Sequence, residues 1–132
     1  MSALTFKAYE YALVAHMEQR YGDEPYINHP TRVANRMGKN DEVGIAVAYL
    51  HDVVEDTQFT LDDLRLAFRD EIVQAVDSIT RRKDEKYFDY IVRLSSNPIA
   101  KRVKIADLKE NLSQGDLSLS TRYYKALKIL ED

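Results

Sequence analysis

Apolar residues recur along this chain at intervals of three and four positions, the spacing of one face of an α-helix. No stretch alternates apolar and polar residues for long enough to predict a β-strand. The pattern therefore predicts an all-α fold of seven or eight helices, forming a single domain over residues 1–132. The predicted helices cover roughly 4–20, 30–38, 41–50 and onward, 61–68, 72–79, 87–94, 98–114 and 119–130.

Glycine, proline and capping residues separate these segments. Residues 22–25, which begin with Gly22 and end with Pro25, break the first helix. Pro30 suits the first turn of the second helix and leaves His29 just outside it. Thr60 followed by Asp63 predicts a capping box.

Composition is that of an ordinary globular protein, with 45% hydrophobic and 31% charged residues among 132. Nineteen Lys and Arg residues against 22 Asp and Glu give a net charge of −3. This balance argues against nucleic acid or an anionic membrane as a partner, but it allows a local basic pocket for a small phosphorylated molecule. Because the chain has no cysteine, disulfides and thiolate metal sites are excluded.

The first sixteen residues lack a basic flank followed by an apolar run, so no signal peptide is expected. Nowhere do 18 apolar residues follow one another, so no transmembrane helix is expected either. These features predict a cytoplasmic protein. They leave its oligomeric state open.

Four polar residues occur where helical geometry would turn them inward, namely His29, His51, Asp52 and Asp107. Two imidazoles and two carboxylates form a mixed nitrogen and oxygen set that suits Mn²⁺, Fe²⁺ or Zn²⁺ better than Ca²⁺. A metal with an open position would activate water as a nucleophile. The sequence therefore predicts a site for one divalent metal ion.

Further polar residues lie one helical turn from these candidate ligands. Glu55 follows His51 by four positions and Asp56 follows Asp52 by four, so a continuous helix would turn both acids toward the metal pair. Their expected role is to orient or deprotonate the attacking water. Lys104 and Asn111 share the face of Asp107 and are candidates for binding phosphate or sugar oxygens.

Three motifs, YINHP (26–30), LHDVVEDT (50–57) and VKIADLKENL (103–112), together resemble the HD superfamily of metal-dependent phosphohydrolases. More narrowly, they resemble the hydrolase domain of Rel/SpoT-type alarmone enzymes and the small stand-alone alarmone hydrolases. The resemblance extends from about residue 8 to residue 112. It implies a helical HD-domain bundle that removes the 3′-pyrophosphate of guanosine tetra- or pentaphosphate.

The resemblance also implies a role for each motif residue. Four residues would hold one Mn²⁺: His29, His51, Asp52 and Asp107. Glu55 and Asp56 would be the catalytic acidic pair, Asn111 would contact substrate, and Arg20 would pack against the guanine base.

The chain departs from the family pattern at several positions. Tyr21 stands where the family usually has a lysine, and the segment ADLKENLSQ lacks the arginine that usually follows the aspartate. These changes touch nucleotide recognition more than metal binding. Two alternatives therefore stay open: a phosphatase of another nucleotide, such as a nucleoside monophosphate or NADPH, and a non-catalytic nucleotide-sensing module.

Overall fold

Helices dominate the computed structural model, which describes residues 1–115 and 118–132. The prediction of an all-α fold is confirmed, apart from a short hairpin after the first helix. Among these residues no helix is long and apolar enough to cross a membrane. The elements are α1 (Ala3–Ala15), β1 (Arg20–Tyr21), β2 (Glu24–Pro25), α2 (Asn28–Asn35), α3 (Glu42–Leu50), α4 (Val53–Asp56), α5 (Leu61–Ala67), α6 (Asp70–Ile79), α7 (Tyr87–Leu94), α8 (Pro98–Ser113) and α9 (Ser120–Glu131).

The first helix is shorter than predicted and is followed by the hairpin. α1 ends at Ala15, and β1 pairs antiparallel with β2 so that Tyr21 lies opposite Glu24. Gly22 has a φ of 63°, a left-handed conformation that lets the two strands turn back within two residues. The hairpin carries Arg20 and Tyr21 to the start of α2.

Two further boundaries differ from the predictions. α2 begins at Asn28, so His29 lies inside its first turn and not before it. Pro30 is still accommodated, because the first N–H groups of a helix need no partner within the helix. The third predicted helix divides at His51 and Asp52, where Asp52 has φ −107° and ψ 0°, and α4 follows as a separate turn.

α3 is the central helix of the main core. Its residues 46–50 are all buried, and they pack with side chains of α1, α2, α6 and α8. A second apolar cluster joins α7, α8 and α9 through residues that include Leu94, Leu108 and Leu130. α8 contributes to both clusters, which places its middle, including Asp107, inside the protein. The buried end of α3 places His51 in the same interior.

The start of α3 is tied to α8 by Asp41. Its carboxylate accepts a hydrogen bond from the backbone N–H of Gly44 at 3.0 Å and caps the helix. The same carboxylate accepts two hydrogen bonds from the Arg102 guanidinium, at 2.8 and 2.9 Å. A Cβ added at Gly44 would lie 2.2 Å from Asp41 Oδ2, so this cap requires glycine there.

Gly44→Ala is therefore expected to destabilise the protein by about 1 kcal/mol, although Gly→Ala inside a helix ordinarily stabilises by a similar amount. The methyl group would push the Asp41 carboxylate away from the helix end and from Arg102. Urea denaturation of Gly44→Ala in the wild-type and Asp41→Ala backgrounds tests this reason. With the carboxylate gone the substitution should become stabilising, and a loss of stability in both backgrounds would reject the explanation.

Candidate metal centre

Three of the four predicted metal ligands come together in the interior. His29 comes from the first turn of α2, His51 follows α3, and Asp107 lies midway along α8. Each offers a ligand atom within 4.8 Å of the other two. Their exposed fractions are 2%, 2% and 4%, respectively. His29 Nε2 lies 2.9 Å from Asp107 Oδ1, and His51 Nε2 lies 3.4 Å from the same oxygen.

Asp52 borders this cluster. Its Oδ2 lies 3.1 Å from His51 Nε2 and accepts a short hydrogen bond from the Tyr26 hydroxyl group. Asp52 thus contacts one predicted ligand directly, and its own role as a ligand stays a prediction.

The protonation of His51 indicates that the cluster fits a cation. His51 Nδ1 lies 2.6 Å from the carbonyl oxygen of Ala48, so this nitrogen carries a proton and donates it. Nε2 then faces the carboxylates of Asp52 and Asp107. A lone pair and two carboxylates repel one another unless a proton or a metal ion lies between them. The donor set of imidazole nitrogens and carboxylate oxygens therefore fits a divalent metal ion.

The pKa of His51 reflects the same arrangement. Burial lowers this pKa, but the carboxylates of Asp52 and Asp107 outweigh burial and raise it well above the ordinary value for histidine. Without a metal ion, a proton on His51 Nε2 therefore offsets the negative charge of the two carboxylates. A divalent cation would displace that proton.

Lys104 is bonded to the candidate metal ligand Asp107. Its ammonium group donates to Asp107 Oδ2 at 3.0 Å, and only 14% of its side chain is exposed. Burial raises the pKa of Asp107, but Lys104 and His51 outweigh it and hold this pKa well below its usual range. Burial lowers the pKa of Lys104, but the negative charge of Asp107 outweighs burial and raises this pKa well above its ordinary value. Both groups are therefore charged.

An ion-pair network around a buried glutamate, one turn from the cluster, joins α2 to α8. Glu110 is 5% exposed and accepts hydrogen bonds from Arg32 Nε at 3.1 Å and Arg36 Nε at 3.0 Å. Because Glu110 follows Asp107 by one turn and Arg32 follows His29 by one turn, these bonds hold the two helices in the register that joins His29 to Asp107.

The predicted catalytic acids Glu55 and Asp56 lie on α4, on the exposed side of the cluster. Glu55 Oε1 accepts a hydrogen bond from the backbone N–H of Arg81 at 3.0 Å. The Asp56 carboxyl group is partly desolvated although the residue is exposed. This desolvation, together with the charges of Asp52 and Glu55, raises the pKa of Asp56 to about 6.

The predicted substrate-binding residues occupy three different settings. Asn111 lies on α8 with its Nδ2 3.4 Å from Asp107 Oδ1, and Lys104 is bonded to the other oxygen of the same carboxylate. Arg20 is exposed on the hairpin, and its guanidinium group donates to the backbone carbonyl of Asp23. The structure thus brings Lys104 and Asn111 to the cluster, whereas the Arg20 side chain contacts the hairpin itself.

Aromatic and histidine residues outside the predicted set also surround the cluster. Tyr21 stacks on His29, Tyr26 donates to Asp52, and His16, which is 2% exposed, packs against Tyr26 with ring centroids 4.4 Å apart. A signal was present for Tyr26, since it precedes His29 by three residues within YINHP. Helical periodicity carries no such signal for Tyr21, because this residue lies on a two-residue strand.

Comparisons with known proteins identify the family of this chain. The family model described as HD domain matches residues 8–112. The guanosine-3′,5′-bis(diphosphate) 3′-pyrophosphohydrolase MESH1 of Homo sapiens is 37% identical over 123 residues, covering 84% of this chain and 69% of the human protein. The guanosine-3′,5′-bis(diphosphate) 3′-pyrophosphohydrolase of Aquifex aeolicus (strain VF5) is 31% identical over 117 residues. This match covers 80% of this chain and 17% of that protein.

A solved structure shares the architecture as well. It is described as a metazoan ortholog of SpoT that hydrolyzes ppGpp and plays a role in starvation responses. It superposes with a TM-score of 0.75 at 25% identity and covers 98% of this chain and 84% of that chain. The present chain belongs to the HD domain family, and the resemblance inferred from the three motifs is confirmed.

Proposed function

We propose that this protein is a divalent-metal-dependent phosphohydrolase that removes the 3′-pyrophosphate of guanosine tetra- or pentaphosphate. The observation that carries this proposal is the buried cluster of His29, His51 and Asp107, with Asp52 beside it and two acids on the following turn. The substrate is proposed because the human and Aquifex relatives are named for this reaction. The cytoplasmic location predicted from the sequence stays a prediction.

The metal is proposed to be one Mn²⁺, held by His29, His51, Asp52 and Asp107. Fe²⁺ and Zn²⁺ suit the same donor types, so the donors alone do not select among the three. When bound, such an ion supplies polarisation of a phosphate oxygen and activation of water.

The acidic pair on α4 is proposed to transfer the proton of the attacking water. Glu55 and Asp56 would orient the attacking water and accept its proton, and then return a proton to the leaving oxygen. The hydrogen bond from Arg81 holds the Glu55 carboxylate toward the loop after α6. A cation at the cluster would lower the pKa of Asp56 below its value of about 6, so this carboxylate would be ionised at neutral pH.

The remaining predicted residues are proposed to bind the nucleotide. Lys104 would face the negative charge of the phosphates, Asn111 would donate a hydrogen bond to an oxygen, and Arg20 would stack on the base. The expected partner is thus a small phosphorylated nucleotide, and neither nucleic acid nor a membrane is expected.

A nucleotide panel tests the proposal. The protein is incubated with Mn²⁺ and, separately, with guanosine tetraphosphate, a nucleoside monophosphate or NADPH, and the products are separated by chromatography. We expect guanosine tetraphosphate to yield GDP and pyrophosphate, with EDTA abolishing the reaction. Release of phosphate from NADPH or the monophosphate alone would indicate a different nucleotide phosphatase, and binding without turnover would indicate a sensing module.

A further inference from the structure

Tyr21 connects two residues of the metal centre that lie on different helices. Its ring stacks on His29 with centroids 4.6 Å apart and an angle of 14° between the planes. Its hydroxyl group donates a hydrogen bond to Asn111 Oδ1 at 2.7 Å. A single side chain of the hairpin therefore contacts α2 through His29 and α8 through Asn111.

The stack matters because His29 lacks the hydrogen bond that usually orients a metal-binding histidine. Such a histidine ordinarily donates its second ring N–H to a carbonyl or carboxylate group. His29 Nε2 faces Asp107, whereas within residues 1–115 and 118–132 its Nδ1 is buried without a hydrogen-bond partner. Three rings pack near the imidazole: Tyr26 and His51 are tilted, with centroids 5.8 and 5.7 Å away, whereas Tyr21 lies flat against it at 4.6 Å.

The Asp107 carboxylate and the Tyr21 hydroxyl group together determine which way the Asn111 amide points. The Asp107 carboxylate only accepts hydrogen bonds, so the amide NH₂ group of Asn111 must face it. The amide oxygen then faces Tyr21 and is occupied by its hydroxyl proton. Asn111 is left with an N–H to offer and its carbonyl oxygen already engaged, so it recognises an acceptor oxygen such as that of a phosphate.

We propose that Tyr21 is a positioning residue with two separable functions. Its ring holds His29 in the orientation required for metal binding. Its hydroxyl group presents Asn111 as a hydrogen-bond donor to a phosphate oxygen of the substrate. The second function rests on the proposed phosphohydrolase activity, whereas the first can be measured with metal alone.

Two substitutions at Tyr21 separate the functions. Tyr21→Phe keeps the ring and removes the hydroxyl group, so the dissociation constant for Mn²⁺ should stay within about twofold of wild type. Its KM for guanosine tetraphosphate should rise roughly fivefold to tenfold at nearly constant kcat, because Asn111 loses the hydrogen bond that holds its amide in position to bind the substrate. Tyr21→Leu also removes the stack and should weaken Mn²⁺ binding about tenfold. Isothermal titration with MnCl₂ and steady-state kinetics provide the two measurements.

Tyr124, which is 64% exposed on α9, provides the matched controls Tyr124→Phe and Tyr124→Leu. Both should leave metal affinity and KM unchanged. In an Asn111→Ala background, Tyr21→Phe should cause no further rise in KM, since the hydroxyl group acts through Asn111.

Wild-type KM in Tyr21→Phe would overturn the role of the hydroxyl group, and wild-type Mn²⁺ affinity in Tyr21→Leu would overturn the role of the ring. Circular dichroism shows whether Tyr21→Leu folds. If it does not, Tyr21→Met, which fills much of the same space without a flat ring, should also weaken Mn²⁺ binding, and wild-type affinity in that variant would overturn the role of the ring. Absence of turnover by the wild-type protein would refute the proposed function and the role of the hydroxyl group that depends on it, while the titrations would still decide the role of the ring.

Discussion

Asp107→Asn is expected to abolish metal binding and to lower hydrolysis by at least about a thousandfold. Asp107 Oδ1 is the atom that faces both His29 Nε2 and His51 Nε2, so the substitution removes the negative charge at the centre of the cluster. An asparagine amide also has an NH₂ group, which repels a cation where a carboxylate oxygen would bind one. Elemental analysis of the purified variant and product chromatography measure the two losses. Full metal occupancy in Asp107→Asn would reject the assignment.

The same substitution should also destabilise the fold, because it leaves the Lys104 ammonium group buried without its carboxylate partner. Breaking a buried pair from one side costs about 3 kcal/mol. The double variant Asp107→Asn with Lys104→Met should recover stability in urea denaturation and still bind no metal. Asp89→Asn, an exposed acid on α7, is the matched control and should change neither property.

Helical spacing predicted the fold well where one face of a helix is buried. α5, α6, α7, α8 and α9 begin and end within about two residues of their predicted positions, because capping signals such as Thr60 with Asp63 coincide with the end of an apolar stripe. The predictions were wrong at α1, which ends at Ala15 and not near residue 20. Beyond that point the backbone turns into a hairpin of two-residue strands, too short to show an alternating pattern.

The sequence predicted which residues form the candidate site better than it predicted how the backbone arranges them. His29, His51 and Asp107 were identified from sequence, and the structure brings them within 4.8 Å of one another. The interruption between α3 and α4 was not predicted, because His51 and Asp52 continue an apolar helical pattern without any glycine or proline. Contacts between distant segments, such as that of Tyr21 with Asn111, depend on tertiary packing, so the spacing of residues within one segment cannot predict them.

The interruption after α3 leaves the acidic pair, Glu55 and Asp56, one helical turn beyond His51 and Asp52. The backbone N–H of Asp56 still donates to the carbonyl oxygen of Asp52 at 3.0 Å, so α4 preserves the helical relation between the two residues. Asp52 is half-buried beside His51, whereas Glu55 and Asp56 are exposed. The turn thus separates an inner pair, His51 and Asp52, from an outer pair, Glu55 and Asp56, that solvent can reach.

Glu55→Gln and Asp56→Asn are therefore expected to keep the metal and to turn over at least about a hundredfold more slowly. Each amide has nearly the shape of the acid, and the amide introduced by Glu55→Gln can still accept the hydrogen bond from the Arg81 backbone N–H through its carbonyl oxygen. Neither amide can accept a proton from water, so the loss should appear in kcat, while nucleotide binding is retained.

Single-turnover kinetics at saturating Mn²⁺, with metal content measured on the same samples, distinguish a lost proton acceptor from a lost metal. Asp62→Asn provides the control, since this α5 carboxylate is 89% exposed and should be without effect on the rate. Rates within a few-fold of wild type for both Glu55→Gln and Asp56→Asn would show that the pair is only the charged end of a helix. A large loss in one variant alone would assign the proton transfer to that residue, because two acids acting on one water need not share its proton equally.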